Sequence, residues 1–406
     1  MSAESKSAES SGKRPAWTAE SPGTAAVAMA ARSSVLRFTL ITLRCYEALC
    51  LTGDTLKGHL FFAGRIGCTG YGMCMSFLSV PFSGFAWDRG GMDRREHAWL
   101  EAAVSDPATR VVVVERNSVL VDSGVLTDNP AQGDGVRLAQ LTVGDLHSLD
   151  VLQTAGVASA ADAPVAWPDA VWLGRVDGQD WVAVPAASGL ETTVPVGVAW
   201  ADVRRVAAQL SGQDSALAAT SVAILAWSAA NRFCSRCGES MRAIDAGWGR
   251  VCGAGHEEFP RLDPAVIVRI TDDADRVLLG HNAAWEAGRF SIFAGFVEPG
   301  ESFEDAVRRE MREEVGLELT EITYRGSQPW PFPRSLMVGF TARAASCGVV
   351  TQPDEIDEAR WFSRDELREA VAGGVMRLPG SSSISYALLA DWYGEALPER
   401  EADGRA

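Results

Sequence analysis

Three glutamates lie among the five residues from Glu310 to Glu314, in the segment RREMREEVG. In an α-helix of 3.6 residues per turn, Glu310 and Glu314 stack one above the other with Glu313 beside them. Two carboxylates about 4 Å apart repel each other by about 4 kcal/mol at an effective dielectric of 20. Such a cluster is therefore stable only in water or around a cation. Mg²⁺ and Mn²⁺ suit it, because they prefer oxygen ligands and commonly bridge carboxylates to the phosphates of a substrate.

The helix that must position these carboxylates has clear ends in the sequence. Ser302, with Asp305 three residues later, is typical of a helix N-terminus, and Gly316 stands where a helix end favours a left-handed residue. An approximate apolar stripe at helical spacing consists of Phe303, Val307, Met311 and Val315. The sequence predicts a helix over residues 303–315 with one apolar and one acidic face.

The residues around the helix decide between an ordinary solvated face and a metal site. The segment REMREE alone is typical of a solvated acidic face. However, Gly295, Glu301 and the run from Arg309 to Leu317 fit every fixed position of the pattern G-x5-E-x7-R-E-U-x-E-E-x-G-U, where U is apolar. Seven fixed residues match by chance on the order of 10⁻⁸ times per starting position. The pattern is the Nudix box, and the chain resembles a Nudix hydrolase over residues 263–396.

This resemblance implies an α/β/α sandwich that hydrolyses a nucleoside diphosphate linked to another group. It implies that Glu310 and Glu314 bind Mg²⁺ or Mn²⁺, that Glu313 is a further ligand candidate, and that Arg309 orients the cluster through Glu301. Downstream, the segment TQPDEIDEARWF offers Glu355 as the best match to an additional metal-binding glutamate of the family. The diphosphate must be screened by metal, and a carboxylate must accept the proton of the attacking water. The sequence leaves open whether that base lies inside or outside the box.

A second pattern concerns the substrate. Alternating prolines in SQPWPFPRS, residues 327–335, prevent a helix or a central strand and favour an extended loop that carries Trp330 and Phe332. Alone, such a loop is equally typical of packed core. Ten residues after the box, it resembles the SQPWPFPxS array of NADH pyrophosphatases. The array implies a dinucleotide pocket lined by Gln328, Trp330, Phe332 and Ser335, with the intervening Pro329, Pro331, Pro333 and Arg334. The resemblance adds Phe259, Ala294 and Phe296 as substrate contacts.

A third pattern is a cluster of metal ligands. Cys234 and Cys237 form a CxxC pair, and Cys252 and His256 follow after fourteen residues. Four such ligands suit tetrahedral zinc. A metal-free loop is the alternative, and many relatives have a second CxxC pair where this chain has Cys252 and His256. Because no ligand is spare, we expect a structural zinc.

Composition limits the remaining possibilities. The formal net charge of −16 argues against an extended basic surface for nucleic acid or for anionic lipid. The most apolar N-terminal stretch is interrupted by Arg32 and Arg37, so it is a poor membrane span and a poor signal peptide. The eight cysteines form no regular disulfide framework. We therefore expect a cytoplasmic protein without membrane contact.

The chain divides into five segments by composition. Residues 1–83 have no sustained period and are expected to be a disordered or atypical extension. Residues 84–231 predict an α+β domain with a strand pair around Asn117, a hairpin turning at Asp177 and Gly178, and a helix near its end. The zinc ribbon is expected over 232–262, the Nudix domain over 263–396, and a tail over 397–406.

The resemblance to NADH pyrophosphatases therefore implies hydrolysis of NAD(H) to nicotinamide mononucleotide and AMP. Relatives also remove NAD caps from RNA, and here a local patch of Arg232, Arg236, Arg242 and Arg250 is the candidate for contact with the RNA. ADP-ribose or another diphosphate fits the box equally well and is disfavoured only by the proline-aromatic array. A non-catalytic zinc-ribbon binding module would require a degenerate box, which this chain does not have. A homodimer is expected from the family.

Overall fold

Three β-sheets follow one another along the chain in the computed structural model, which describes residues 77–96, 98–122, 135–148, 169–186 and 194–399. All of these residues belong to one compact unit. Most of the predicted extension, residues 1–76, lies outside the described residues, as does the end of the predicted tail. Among the described helices, none has the length and apolar character needed to cross a bilayer.

The N-terminal sheet has the strand order β3-β4-β1-β2-β5. Its strands are β1 (Arg110–Glu115), β2 (Ser118–Asp122), β3 (Val171–Val176), β4 (Gln179–Pro185) and β5 (Val198–Asp202). Its helices are α1 (Ala98–Ser105), α2 (Val143–Ser148), α3 (Val203–Val206) and α4 (Gly212–Ala230), and a short 3-10 helix spans Asp93–Arg95.

Local sequence explains the two predicted strand pairs of this sheet. β1 and β2 pair antiparallel, and so do β3 and β4. Asp177 and Gly178, at the tip of the second hairpin, have φ angles of 52° and 78°, as a two-residue hairpin turn requires. The long helix α4 packs on one face of the sheet, where Leu217 and Val222 are fully buried. The predicted strands and helix are confirmed.

The zinc-ribbon segment forms a small antiparallel sheet of three strands. They are β6 (Met241–Ile244), β7 (Gly249–Cys252) and β8 (Glu257–Glu258), with a 3-10 helix at Asp245–Gly247 between the first two. Arg250, on β7, is only 5% exposed and donates hydrogen bonds to Asp169 and Ser228 in the N-terminal part of the chain. The buried guanidinium of Arg250 thus joins the ribbon to the N-terminal part of the chain.

The C-terminal sheet has six strands in the order β12-β13-β9-β10-β14, with β11 also paired to β9. The strands are β9 (Asp263–Thr271), β10 (Val277–Asn282), β11 (Phe293–Phe296), β12 (Leu319–Trp330), β13 (Ser335–Ala344) and β14 (Ile356–Phe362). The helices are α5 (Phe303–Val315), α6 (Arg364–Ala372) and α7 (Ile384–Tyr393). Helix α5 packs with one core, and α6 and α7 pack with the other. This arrangement confirms the predicted Nudix sandwich.

The register of β9 brings separate parts of the sequence together. Ala265 pairs with Phe296 of β11 on one side and with Met337 of β13 on the other. Ser335, at the end of the proline-rich loop, pairs with Asp263. The ribbon therefore leads into the same end of the sheet at which the Nudix box begins and the proline-rich loop turns.

Candidate functional site

Helix α5 holds the acidic cluster and begins and ends as the sequence predicts. The Ser302 hydroxyl accepts a hydrogen bond from the Asp305 amide, and Gly316 ends the helix with a φ of 67°. Val307, Met311 and Val315 are fully buried against the sheet, whereas Phe303 is 40% exposed. Burial of the apolar face fixes the rotation of the helix, so the opposite face presents the glutamates towards β11.

Arg309 is the centre of the hydrogen-bond network around the carboxylates. Its Nε and Nη2 donate to the two carboxylate oxygens of Glu301 at 2.7 and 2.9 Å. Its Nη1 donates to Glu310 at 2.9 Å and to Glu313 at 3.1 Å. A guanidinium is planar and presents several donors in a fixed arrangement, so these contacts set the positions of three carboxylates at once. They also lower the pKa of Glu301 to about 2.

The carboxylates of Glu310 and Glu314 accept fewer hydrogen bonds from Arg309 than the carboxylate of Glu301 does. Glu314 is 5% exposed, and its Oε2 is buried without a hydrogen-bond partner. Burial, followed by the negative charges of Glu310, Glu355 and Glu313, raises the pKa of Glu314 to about 8. Burial also raises the pKa of Glu310, against the opposing hydrogen bond from Arg309. A buried oxygen without a donor among further carboxylates has the chemistry of a site for a hard divalent cation.

Gly295 is required by the position of Glu310. A Cβ atom at residue 295 would overlap the Cδ atom and both carboxylate oxygens of Glu310. The Glu310 carboxylate therefore rests directly on the backbone of β11. This contact explains in physical terms why the first position of the box accepts no side chain.

Glu355 reaches the cluster on a loop that is tied to the end of α5. The Val350 amide donates to the Val315 carbonyl at 3.0 Å, and the Gln352 amide donates to the Glu314 carbonyl at 3.1 Å. Glu355 itself is exposed, and its charge acts on both Glu310 and Glu314. The charges of Glu310, Glu313 and Glu355, the other acidic residues that the sequence selected as metal ligands, thus all act on Glu314.

Cys234, Cys237, Cys252 and His256 form a second potential metal site, within the ribbon. Their ligand atoms all lie within 4.8 Å of one another. The Sγ atoms of Cys237 and Cys252 are 3.7 Å apart. A tetrahedral zinc with Zn–S bonds of about 2.3 Å separates its sulfur ligands by about 3.8 Å, so these residues fit zinc. The site is part of the ribbon and shares no ligand with the acidic cluster.

The proline-rich loop is anchored to the rest of the chain at Gln328. This side chain is fully buried. Its Nε2 donates to the carbonyls of Pro81 and Ser382 at 3.0 and 2.8 Å, and its Oε1 accepts from the Ile384 amide at 2.7 Å. The amide of Gln328 is therefore enclosed and bonded within the chain, and its contact with a dinucleotide stays a prediction.

Trp330 and Phe332 are also more enclosed than predicted. Both rings are partly buried and pack against the core of the N-terminal sheet. Their centroids are 5.2 Å apart in an edge-to-face arrangement. Each therefore has at most part of its surface available to a ligand, and packing against the chain's own core accounts for the rest.

The other predicted substrate residues divide by exposure. Phe259 and Phe296 are 54% and 60% exposed, and Ala294 is exposed as well. Within the loop, Pro329 and Pro333 are exposed, Pro331 is buried, and Arg334 and Ser335 are half-buried. The box entrance and the end of the ribbon thus offer freely accessible aromatic surface, and the loop offers less.

Two residues beside the loop were not selected from the sequence. Asp263 accepts hydrogen bonds from Arg261 at 2.6 Å and from Arg334 at 2.7 Å, which joins the ribbon exit to the loop. The Arg204 guanidinium lies 5.4 Å from the centre of the Phe332 ring. The Arg-x-Asp spacing of residues 261–263 was visible in the sequence, whereas the approach of Arg204 depends entirely on the packing of α3 against the loop.

The predicted arginine patch loses one member. Arg250 is buried and paired with Asp169, as described above, so it has no free charge for a ligand. Arg236 and Arg242 are exposed, and the Arg232 side chain is 64% exposed with only a 3.8 Å contact to Asp169. Three of the four arginines therefore present charge to solvent.

Comparison with known proteins matches three successive segments of the chain. Residues 108–227 match an NADH pyrophosphatase-like rudimentary NUDIX domain, residues 229–259 an NADH pyrophosphatase zinc ribbon domain, and residues 261–378 a NUDIX domain. A NUDIX hydrolase crystal structure from Nitrosomonas europaea covers 42% of this chain and 96% of its own, with 19% identity and a TM-score of 0.33.

Two relatives have names that state an activity. The chain is 45% identical over 243 residues to the NAD-capped RNA hydrolase NudC of Mycobacterium bovis (strain BCG / Pasteur 1173P2). The matched region covers 57% of this chain and 77% of that protein. It is 35% identical over 197 residues to the NAD-capped RNA hydrolase NUDT12 of Homo sapiens, with 45% of this chain and 43% of that protein covered.

Proposed function

The chain belongs to the NADH pyrophosphatase family of Nudix hydrolases, and from this premise we propose that it hydrolyses NADH and NAD at the diphosphate bridge. Water is added across the P–O–P link, and the products are nicotinamide mononucleotide and AMP. The observation that carries this proposal is the buried, unpartnered Oε2 of Glu314 among the carboxylates of α5.

We assign the divalent cation, Mg²⁺ or Mn²⁺, to Glu310 and Glu314, with Glu313 and Glu355 as further ligands. When bound, the cation screens the charge of the diphosphate and lowers the pKa of coordinated water. Arg309 holds Glu310 and Glu313 at fixed positions through its hydrogen bonds. The base that accepts the proton from water is Glu355, which is exposed and reaches the cluster from its own loop, or a glutamate of the box.

We propose that the dinucleotide is recognised at the end of the sheet where the box begins. Phe296, Phe259 and Ala294 supply accessible surface there, and a flat ring can stack on either phenylalanine. The half-buried Ser335 and Arg334, and the partly exposed edges of Trp330 and Phe332, complete the pocket.

Removal of the NAD cap from RNA is a second proposed activity, which the similarity to two NAD-capped RNA hydrolases supports. A capped RNA places the same diphosphate bridge in the pocket and continues as a polyanion. The exposed charges of Arg232, Arg236 and Arg242 suit a few phosphates close to the cap. The acidic composition of the whole chain argues against a longer RNA track.

Product analysis of the purified full-length protein tests these proposals. NADH, NAD, ADP-ribose and 5′-NAD-capped RNA are each incubated with Mg²⁺ or Mn²⁺, and the products are separated by chromatography. We expect nicotinamide mononucleotide and AMP from the dinucleotides. Faster hydrolysis of ADP-ribose than of NADH would replace the substrate assignment. Absence of nicotinamide mononucleotide release from the RNA would remove the decapping activity.

The zinc proposal has its own test. We expect about one zinc per chain by elemental analysis, because four ligands converge in the ribbon. Zinc should be lost in Cys237→Ser. The matched control is Cys347→Ser, which removes an exposed free thiol outside this cluster and should retain the metal. Equal zinc content in both variants would contradict the assignment.

We further propose a homodimer that works in the cytoplasm. Phe259, Leu262 and Phe296 are large apolar residues with more than half of their surface exposed near one end of the sheet, and a second copy can cover part of this surface. The thiols of the ribbon suit a reducing compartment. Sedimentation equilibrium with and without NAD measures the mass, and a monomer at all concentrations would contradict the dimer.

A further inference from the structure

Residues 77–83 run between the two halves of the molecule, directly beside the proline-rich loop. Leu78 and Val80 pack into the core under α6 and α7, and Phe82 packs into the core of the N-terminal sheet. The Leu78 amide donates to the Arg325 carbonyl of β12 at 2.9 Å. This segment, which we call the brace, precedes all three matched family segments, the first of which starts at residue 108. The sequence had left it unassigned.

Both polar atoms of the peptide group between Pro81 and Phe82 are hydrogen-bonded. The Pro81 carbonyl accepts a hydrogen bond from Gln328 at 3.0 Å, and the Phe82 amide donates to the Ser215 hydroxyl of α4 at 2.9 Å. The same Gln328 amide group bonds to residues Ser382 and Ile384 at the start of α7. One buried side chain at the start of the proline-rich loop, near the end of β12, is thus bonded to both the brace and α7.

The Phe82 ring is inserted against both aromatic rings of the loop. It is 5% exposed, and its centroid lies 6.3 Å from that of Trp330 and 6.4 Å from that of Phe332, at interplanar angles of 62° and 60°. Its φ of 69° is a left-handed conformation that a bulky side chain rarely adopts. Such a conformation persists only where surrounding contacts determine it, and it is found preferentially at functional sites.

We propose that the brace sets the position of the proline-rich loop, with Phe82 and Gln328 as positioning residues for the dinucleotide. This inference rests on the proposed function, because the loop matters only if it contacts the substrate. The brace orients the rings of Trp330 and Phe332, and Gln328 fixes the strand that leads into them. The acidic cluster on α5 is bonded through other residues, so the brace affects binding of the dinucleotide and leaves the hydrolytic step unchanged.

The test uses three variants of the full chain. Phe82→Gly removes the ring and accepts the left-handed backbone, Phe82→Leu retains apolar volume, and Gln328→Met removes the hydrogen bonds with little change in shape. The matched control is Val119→Ala, which creates a cavity in the same core on β2, a strand that pairs with β1 and β5. Thermal unfolding measures how far each substitution lowers stability.

We expect KM for NADH to rise about tenfold in the Phe82 and Gln328 variants, which we call the brace variants. This is the scale of losing two aromatic contacts, and kcat should change by less than about threefold. Val119→Ala should lower Tm without raising KM. An unchanged KM in both Phe82 variants, or an equal rise in Val119→Ala, would overturn the proposal.

Amide hydrogen exchange separates failure of the brace from failure of the proposed function. Independently of any activity, peptides covering residues 327–336 should exchange faster in the brace variants, while peptides covering 303–315 should not change. Faster exchange in an enzyme that does not hydrolyse NADH would support the brace and contradict the proposed substrate. Unchanged exchange in the loop would contradict the brace itself.

Discussion

The acidic face of α5 and the proline-rich loop each contain a buried polar side chain, but the two side chains differ in whether their polar atoms have hydrogen-bond partners. On α5, Glu314 is buried with an oxygen that has no hydrogen-bond partner. In the loop, the fully buried Gln328 uses both polar atoms of its amide in hydrogen bonds to three residues in two other segments of the chain. A buried polar group without a partner is costly, whereas a satisfied one stabilises the fold. A bound cation can therefore stabilise the first region, whereas the hydrogen bonds of the second are already complete.

The difference also separates the residues that act from those that position. Glu310 and Glu314 have pKa values raised by burial and lie among other carboxylates, which is an arrangement typical of functional sites. Gln328 belongs to a motif that implies substrate contact, yet its side chain is enclosed and hydrogen-bonded within the chain. A motif identifies residues that matter to a function without distinguishing these two roles.

The strongest way to break this comparison is Glu314→Gln. The amide keeps the size of the side chain and removes the charge that holds the cation, so we expect kcat to fall on the order of 10³-fold, equivalent to about 4 kcal/mol. The matched control is Glu304→Gln, an exposed glutamate in the first turn of the same helix, which should retain activity. Similar kcat values for both variants would show that the cluster does not hold the catalytic metal.

Gly295→Ala gives the next largest effect. The added Cβ would overlap the Glu310 carboxylate, so this ligand must move away from its position on β11. We expect kcat to fall about 100-fold with little loss of thermal stability, because a displacement of about 1 Å has this scale of effect. Gly348→Ala is the control, since a Cβ there meets no atom within 4 Å. Full activity of Gly295→Ala would mean that Glu310 is not needed in its present position.

The smallest expected effect concerns stability and pH in the metal-free protein. The pKa of Glu314 is raised from 4.5 to about 8, so between these values the folded state keeps a proton that the unfolded state has released. Stability from this group is therefore fully present below pH 4.5 and is lost as the pH rises through 8.

Denaturant unfolding at two pH values measures this effect. At pH 8.5 without divalent cation, we expect Glu314→Gln to be more stable than the unmodified protein by about 2 kcal/mol, and at pH 4.5 the two should be nearly equal. Mg²⁺ should stabilise only the unmodified protein. A difference that is the same at both pH values would contradict the charge imbalance assigned to the acidic cluster.

Local features of the chain were predictable because they depend on nearby residues. The caps at Ser302 and Gly316 set the ends of α5, and the turn at Asp177 and Gly178 closes the hairpin of β3 and β4. The pairing of Arg309 with Glu301 is also local, since the two residues are only 8 positions apart in the sequence. The convergence of the ribbon ligands follows from two short-range pairs brought together by a β-hairpin.

Burial at long range was not predictable. Gln328 and Pro81 are separated by 247 positions in the sequence, and Arg250 is 81 positions from Asp169. Neither polar residue carries a local sign that it will be enclosed. The packing of residues 77–83 was not predicted for the same reason, because a segment without period gives no local signal and gains its structure from the two cores that it contacts.

The sequence by itself determined which groups can perform the chemistry: the carboxylates, the guanidinium that orders them and the thiols of the ribbon, each set by residue type and short spacing. Only the tertiary structure decided which of these groups remain accessible, because exposure depends on how distant segments pack. Burial leaves Gln328, a candidate substrate contact, with its amide bonded to other parts of the chain. Burial leaves Glu314 with a carboxylate oxygen that has no hydrogen-bond partner and that can bind a cation.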